Sequence, residues 1–256
     1  MTKFSWIKSL LSLIAALGGF ADLQAAEVSV AVASNFSAPM KRIAQMFQQA
    51  SGHTANLSIG STGSFYAQIK NGAPFQVLVS ADDETPARLE QEGDGVAQTR
   101  FTYAVGRLAL WSSKPAKVDD RGEVLRQGHF ERLAIANPKL APYGAAAQQT
   151  LTSMGLWSSL QPKLVLGESI AQTYQFIASD NAQVGFVALS QIWMNGQILQ
   201  GSAWIVPASM HEPLQQDVIL LRSGRDSPAA KELMRFLRSE TVQALIRSYG
   251  YDLKML

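Results

Sequence analysis

Short apolar runs rich in Val, Ile and Ala alternate along the chain with segments in which apolar residues recur every three or four positions. The short runs are typical of buried strands, and the longer period is typical of amphipathic helices. Strands that alternate with helices favour βαβ units and a largely parallel sheet, so the pattern predicts an α/β fold. The predicted strands are residues 28–33, 54–59, 76–80, 101–105, 107–111, 133–136, 163–166, 184–189 and 214–221. The predicted helices are residues 38–50, 65–70, 145–154 and 171–179, with two more that begin near Pro228 and Glu240.

The alternation of strands and helices occurs twice along the chain. It is interrupted after residue 100 by two predicted strands that follow each other directly. The predicted strands on either side of Gly106 fit a crossing of the chain from one lobe into another, and the strand predicted near residue 214 fits a return. Because no low-complexity linker separates the halves, two lobes joined by crossing strands fit better than two independent domains. The predicted first lobe is residues 27–104 with 214–256, and the predicted second lobe is residues 105–213.

The first 26 residues have the layout of a secretory signal peptide. Lys3 and Lys8 provide a positive start, an apolar run covers about residues 10–20, and Ala25 and Ala26 close the segment. The apolar run is shorter than the roughly 20 residues that span a bilayer. We therefore expect export, removal of this segment and a periplasmic mature protein.

Charge and cysteine content exclude several classes of function. The chain carries 22 basic and 20 acidic residues, and loss of the first 26 residues removes two lysines and one aspartate, which leaves a net charge of about +1. Such a chain lacks the basic surface that nucleic-acid binding requires, so we expect no nucleic-acid partner. Cysteine is absent, which excludes disulfides, thiolate metal sites and cysteine nucleophiles.

Four predicted junctions between a strand and the next helix carry hydroxyl groups or small residues. The first N–H groups of a helix have no partner within the helix, and the helix dipole adds partial positive charge there. Such ends suit anions, and ligands of open α/β sheets bind beyond the carboxyl ends of the strands. No Arg or Lys lies within the junctions, which indicates neutral donors, although the same residues are also favoured at helix caps for local reasons. The junctions are Ser34-Asn35, Ser61-Thr62-Gly63, Tyr143-Gly144-Ala145 and Ser169-Ile170-Ala171.

An ordered series of motifs resembles the periplasmic molybdate-binding proteins of ABC transporters, and it covers nearly all of the mature chain. The motifs are VAVASNF at 30–36, GSTG at 60–63, QIKNGAP at 68–74, VSAD at 79–82, ANP at 136–138, APYG at 141–144, VGFV at 184–187 and RSYGY at 247–251. The resemblance implies a two-lobed periplasmic binding protein of the type II-like kind. Each lobe would be a mostly parallel sheet flanked by helices, with the ligand in the cleft between the lobes.

The resemblance also implies an oxyanion site. In the second lobe, the backbone N–H groups of Tyr143 and Ile170 would bind the ligand. Asn35 matches a branch of the family that has an additional donor beside the first position. The implied ligand-binding residues are Ser34, Asn35, Thr62, Tyr143 and Ile170, with Ser61 and Gly63 as secondary candidates.

One position departs from the common pattern of the family. Many members have a tyrosine hydroxyl in the segment after Val187, where this chain has Ala188. The branch with Asn35 and Tyr143 shares this absence, so Asn35 is expected to compensate. The resemblance implies a monomer without enzymatic activity or cofactor, which captures molybdate or tungstate and delivers it to a membrane-embedded ABC permease.

Two alternatives stay open on the sequence alone. The ligand could be another tetrahedral oxyanion such as sulfate, or a small organic acid, although a larger ligand would need an Arg or an apolar slot that the junctions lack. The chain could instead be an exported serine hydrolase with Ser34 or Thr62 as nucleophile. That function requires a base, and His53 or Asp82 within hydrogen-bond reach of either hydroxyl would support it.

Overall fold

The computed structural model describes residues 25–253, so the predicted signal peptide lies outside the described residues except for its last two. The strands are β1 Glu27–Ala33, β2 Thr54–Gly60, β3 Val77–Val79, β4 Phe101–Gly106, β5 Leu108–Ser112, β6 Leu133–Ala136, β7 Leu164–Gly167, β8 Val184–Ala188, β9 Trp193–Met194, β10 Gln197–Ile198, β11 Ser202–Ile205 and β12 Leu214–Leu220. The helices are α1 Ser37–Ser51, α2 Thr62–Lys70, α3 Glu84–Gln91, α4 Val124–Gln127, α5 Pro142–Ser153, α6 Trp157–Leu160, α7 Ile170–Ala178, α8 Pro228–Phe236 and α9 Glu240–Ser248.

Ten of these twelve strands form two five-stranded sheets, in the orders β2-β1-β3-β12-β4 and β11-β5-β8-β6-β7, and β9 pairs with β10 in a separate two-stranded sheet. One strand in each sheet runs against its neighbours, namely β12 in the first sheet and β5 in the second. Each of these two strands enters directly from the other sheet, without the crossover helix that a parallel neighbour would need. The remaining pairs, β1–β2, β1–β3, β6–β7 and β6–β8, are parallel as predicted.

We call the part built on the first sheet the first lobe and the part built on the second sheet the second lobe. The chain crosses between them at Arg107, between β4 and β5, and again between β11 and β12. Strand β4 continues to Gly106, two residues beyond the predicted boundary at residue 104. The exact residue ranges of the lobes stay a prediction.

The predicted helices began too late at two of the junctions. Helix α2 begins at Thr62 rather than at residue 65, and α5 begins at Pro142 rather than at residue 145. Proline is preferred at the first position of a helix, since it lacks the N–H that would have no partner there, and Ala141 before it is extended. The earlier starts place Thr62 and Tyr143 in the first helical turn, where N–H groups are free.

The apolar faces of the helices pack onto the two sheets. In the first lobe, Phe36, Met40, Ile43 and Phe47 are fully buried against β1. In the second lobe, α5 and α7 cover a separate cluster that includes Leu133, and this packing fixes the ends of both helices relative to the strands. Among residues 25–253, no helix is long and apolar enough to cross a membrane.

Candidate functional site

A small cavity lies between the lobes, where β1 and β2 end and where α2, α5 and α7 begin. The space between its lining atoms, counted up to where it opens to solvent, is about 190 Å³, compared with about 860 Å³ for the groove beside it. Its lining contains no charged side chain, and every polar residue in it is at most 6% exposed. The five predicted ligand-binding residues and one secondary candidate line it together with Ala, Gly and Pro. They are Ser34, Asn35, Thr62, Tyr143, Ile170 and Ser61.

Three helix starts direct backbone donors to this region. Thr62 is the first residue of α2, Tyr143 the second residue of α5, and Ile170 the first residue of α7. Within residues 25–253, none of these three N–H groups donates a hydrogen bond to another group. Unpaired N–H groups at a helix start, with the favourable end of the helix dipole, form an anion-binding arrangement.

Two of the lining hydroxyls are held by backbone donors. The Ser34 hydroxyl oxygen accepts the N–H of Ala171 at 3.3 Å, and the Thr62 hydroxyl oxygen accepts the N–H of Ala81 at 3.1 Å. A hydroxyl has one hydrogen to donate besides its lone pairs. Each oxygen is thus fixed in place, and these bonds leave its hydrogen free to be donated.

Ser61 precedes α2 as its N-cap, but its hydroxyl does not cap the helix. The corresponding serines before α7, α8 and α9 each accept a hydrogen bond from a backbone N–H of the first turn. In α2, the N–H of Gly63 instead donates to the carbonyl of Leu140 in the second lobe, at 3.0 Å. The Ser61 hydroxyl is therefore left to the cavity, whereas Gly63 lines the neighbouring groove.

Hydrogen bonds between the lobes close the cleft around the cavity. Besides the bond from Gly63 to Leu140, the Ser190 hydroxyl donates to the carbonyl of Asn35 at 2.9 Å. The Gln216 amide in β12 donates to the Tyr143 hydroxyl at 3.0 Å. Tyr143 thus contributes to the closed arrangement with its side chain, which leaves its backbone N–H for a ligand.

A neutral polar network surrounds the Asn35 side chain. Its amide nitrogen donates to Gln216 at 2.9 Å and to the Tyr251 hydroxyl at 3.0 Å, which uses both amide hydrogens. Burial raises the pKa of Tyr251 and of Tyr143, so both phenols stay neutral. Any compensation by Asn35 for the tyrosine that is absent at Ala188 must therefore come from its backbone N–H, and it stays a prediction.

A chain of side chains leads from the cavity to a carboxylate. The Thr62 and Ser80 hydroxyl oxygens are 3.3 Å apart, and the Ser80 hydroxyl donates to Asp82 at 3.0 Å. Burial raises the pKa of the Asp82 carboxyl, an effect that hydrogen bonds from Thr85 and Ser80 oppose. Ser80 is fully buried and was not among the predicted site residues; the only sequence signal for it is the VSAD motif that contains it.

The condition for a hydrolase is not met by the described residues. His53 accepts the N–H of Ala26 and lies 3.3 Å from a carboxylate oxygen of Glu232, and Asp82 bonds to Ser80 and Thr85. In the part of the chain that the structure describes, neither base makes a hydrogen bond with the hydroxyl of Ser34 or Thr62. Neither of the two bases named for a hydrolase is therefore hydrogen-bonded to a candidate nucleophile within residues 25–253.

Comparisons of the sequence and of the structure with known proteins identify the same kind of relative. The family described as "Bacterial extracellular solute-binding protein" matches residues 28–252. The chain is 53% identical to the molybdate-binding protein ModA of Azotobacter vinelandii over 96% of this chain and 99% of that one. It is 48% identical to the molybdate-binding protein ModA of Rhodobacter capsulatus over 89% and 88% of the two chains. The solved periplasmic molybdate-binding protein of Azotobacter vinelandii superimposes with a TM-score of 0.86 at 39% identity, covering 89% of this chain and all of that one, which confirms the predicted fold class.

Proposed function

Because this chain belongs to the bacterial extracellular solute-binding protein family, we propose that it captures molybdate or tungstate outside the cytoplasmic membrane and delivers it to an ABC permease. The observation that carries the proposal is the buried, polar cavity between the lobes, whose lining has no charged side chain and at which three helices begin and several hydroxyls lie. The relatives named as molybdate-binding proteins support the choice of ligand. Export by a signal peptide in residues 1–26, a periplasmic location and a monomeric state belong to the same proposal.

The donor set suits a fully ionised anion. A hydrogen bond to a charged group contributes about 1.5–3 kcal/mol, so several of them can offset the dehydration of a dianion without a basic side chain. The proposed donors are the N–H groups of Thr62, Tyr143 and Ile170 and the hydroxyls of Ser34 and Thr62, with Asn35 and Ser61 beside them. Backbone N–H groups donate hydrogen bonds and cannot accept them, so the O–H of a ligand that keeps its own proton would find no acceptor among them, and such a ligand is disfavoured.

The size of the cavity favours a compact ligand. The space between its lining atoms is less than a quarter of that in the adjacent groove. Most of the lining residues are small, and the larger ones, Asn35, Tyr143 and Ile170, are buried. A compact tetrahedral oxyanion requires less displacement of this buried lining than a larger organic acid would. Sulfate is the second candidate, because the same neutral donors would serve it.

The first test is a panel of oxyanions. We expect micromolar molybdate and tungstate to raise the melting temperature, because a ligand at about 100 times its Kd stabilises the folded state by about 2.7 kcal/mol. For a chain of this length that corresponds to a shift of roughly 5–10 °C. Differential scanning fluorimetry with sulfate and phosphate in parallel, followed by calorimetry, measures it. A response to sulfate alone would change the ligand, and no response to either metal oxyanion would refute the proposal.

Thr62→Val tests one hydroxyl donor. We expect the Kd for molybdate to rise by about 10- to 150-fold, which corresponds to one hydrogen bond to a charged group. The unliganded protein should lose about 1 kcal/mol of stability, because the N–H of Ala81 loses its acceptor. Thr62→Ser keeps the hydroxyl and should bind nearly as well as the wild type. Equal affinity of the valine variant in calorimetry would mean that the hydroxyl serves only the fold.

A further inference from the structure

We infer that Ser80 and Asp82 are positioning residues for the Thr62 hydroxyl, and that oxyanion binding is coupled to the uptake of a proton by Asp82. The inference rests on the proposed function, because it concerns how the same cavity takes a dianion. It follows from a count of the hydrogens and lone pairs along the chain Thr62–Ser80–Asp82. Solvent supplies the proton, which forms an O–H bond on the carboxylate.

When Asp82 is ionised, every group in the hydrogen-bonded series Thr62–Ser80–Asp82 has a partner only if Thr62 points its hydrogen toward Ser80 and away from the cavity. The carboxylate can only accept, so Ser80 gives it its single hydrogen at 3.0 Å and also accepts the N–H of Asp82 at 3.3 Å. One lone pair of Ser80 then faces Thr62, 3.3 Å away. The Thr62 oxygen accepts the N–H of Ala81, so its hydrogen satisfies Ser80 if no anion takes it.

An anion in the cavity breaks this pattern. If Thr62 donates to the anion while Asp82 stays ionised, Ser80 and Thr62 face each other with lone pairs at 3.3 Å and no hydrogen between them. Two buried acceptors that face each other in this way lose a hydrogen bond and repel. The gain from the Thr62 donor is then partly lost.

Protonation of Asp82 removes the conflict. The carboxylic acid donates to Ser80, Ser80 turns its hydrogen to Thr62, and Thr62 donates to the anion. Each hydrogen then has an acceptor, both lone pairs of Ser80 are used by Asp82, and those of Thr62 are used by Ala81 and Ser80. All three donors point the same way, which strengthens each bond in the chain.

The negative charge of the ligand also favours protonation of Asp82. Asp82 is half-buried and lies two hydrogen bonds from the cavity, so a dianion there repels its negative charge. Burial already raises the pKa of Asp82, and the nearby Glu84 raises it further. Across the groove that Asp82 lines stand Lys139 and Glu212, which have opposite charges.

The hydrogen bonds of Thr85 to both carboxylate oxygens oppose protonation. The neighbouring Asp217 of β12, whose backbone contacts that of Asp82, is paired with Arg100 at 2.6 Å. A bound dianion shifts this balance further toward the acid. Because the pKa of Asp82 is then higher in the complex than in the free protein, the affinity should be greatest at low pH and decline as the pH rises through the pKa of the complex.

Calorimetry in two buffers of different ionisation enthalpy measures the proton uptake directly. For the wild type with molybdate and with tungstate, we expect a net uptake of up to one proton per ligand, which falls as the pH rises above the pKa of Asp82 in the complex. The affinity should correspondingly fall with pH, by at most about tenfold per pH unit. Any pH effect of the ligand itself is common to all variants and cancels in the comparison.

Two variants and one control identify the residue. Asp82→Asn should abolish the uptake and flatten the pH profile. Ser80→Ala keeps the carboxyl and its repulsion by the dianion but removes the hydrogen-bonded link to Thr62, so it should lower the uptake, and it serves if the first variant does not fold. Asp83→Asn is the matched control: the same change one residue along, at the N-cap of α3 without a side-chain cap bond, should keep the uptake.

The outcomes separate this inference from the proposed function. Tight binding by the wild type without proton uptake, or unchanged uptake in both Asp82→Asn and Ser80→Ala, would overturn the inference and leave the proposed function standing. No binding of either metal oxyanion by the wild type would overturn both.

Discussion

Gly144→Ala should disable the site by displacing the start of α5. A Cβ at this position would lie 2.2 Å from the carbonyl oxygen of Ala136 and 2.9 Å from the carbonyl carbon of Asn137. Both are backbone atoms that cannot rotate away, so the helix must shift from the end of β6. Overpacking of this kind costs about 1–3 kcal/mol or more, and we expect the melting temperature to fall by several degrees.

The same shift should move the N–H of Tyr143 away from the ligand. We therefore expect loss of oxyanion binding in excess of the loss of stability, measured by calorimetry below the melting temperature of the variant. Ala145→Ser is the control, because it adds one atom at a half-buried position that lines the groove and not the cavity. Wild-type affinity in Gly144→Ala would show that the start of α5 does not need to approach β6 this closely.

The strands around the site could be predicted from sequence because buried strands consist largely of apolar residues. In β1, six of the seven residues are Val, Ala or Ser, and all but its first and third are buried, which gives a continuous apolar signal. The same logic fails for β11, which was not predicted. Its sequence, SAWI, opens with two small residues and is too short to show a period.

The site itself could be predicted only in part. Hydroxyl side chains at strand ends give a visible pattern, so Ser34 and Thr62 stand out. Tyr143 and Ile170 bind through the main chain in our proposal, and an N–H donor leaves no trace in the identity of its residue. Their positions came from the resemblance to a family, and the structure explains them by the starts of α5 and α7.

The role proposed for Ser80 could not be read from sequence at all. It depends on the direction of hydrogen bonds between residue 62 at the start of α2 and residues 80 and 82 in the loop after β3. Sequence spacing predicts which residues share a strand or a helix face, but it does not specify which oxygen faces which hydrogen. The contact between Gln216 and Tyr143 is another example. These two residues meet only because β12 returns to the first sheet, which their spacing in the sequence does not predict.

Ile170→Pro should remove one backbone donor with little change to the helix. Ile170 is the first residue of α7, the position at which proline is preferred because its N–H would have no helical partner. Ser169 before it is extended, with φ −145° and ψ 164°, which is the conformation that a following proline requires. The helix and the Ser169 cap on Gln172 should therefore persist, and only the N–H is lost.

We expect the Ile170→Pro variant to bind the dianion more weakly. One hydrogen bond to a charged group corresponds to about 1.5–3 kcal/mol, or roughly a 10- to 150-fold rise in Kd. The smaller proline ring also leaves space where the buried isoleucine packed, so some stability is lost for a reason unrelated to binding. Ile170→Val is the matched control, because it reduces the side chain and keeps the N–H. If calorimetry with molybdate gives both variants the same Kd, the N–H of residue 170 does not bind the anion; if only the proline variant weakens, the main chain at the start of α7 holds the ligand independently of the side chain.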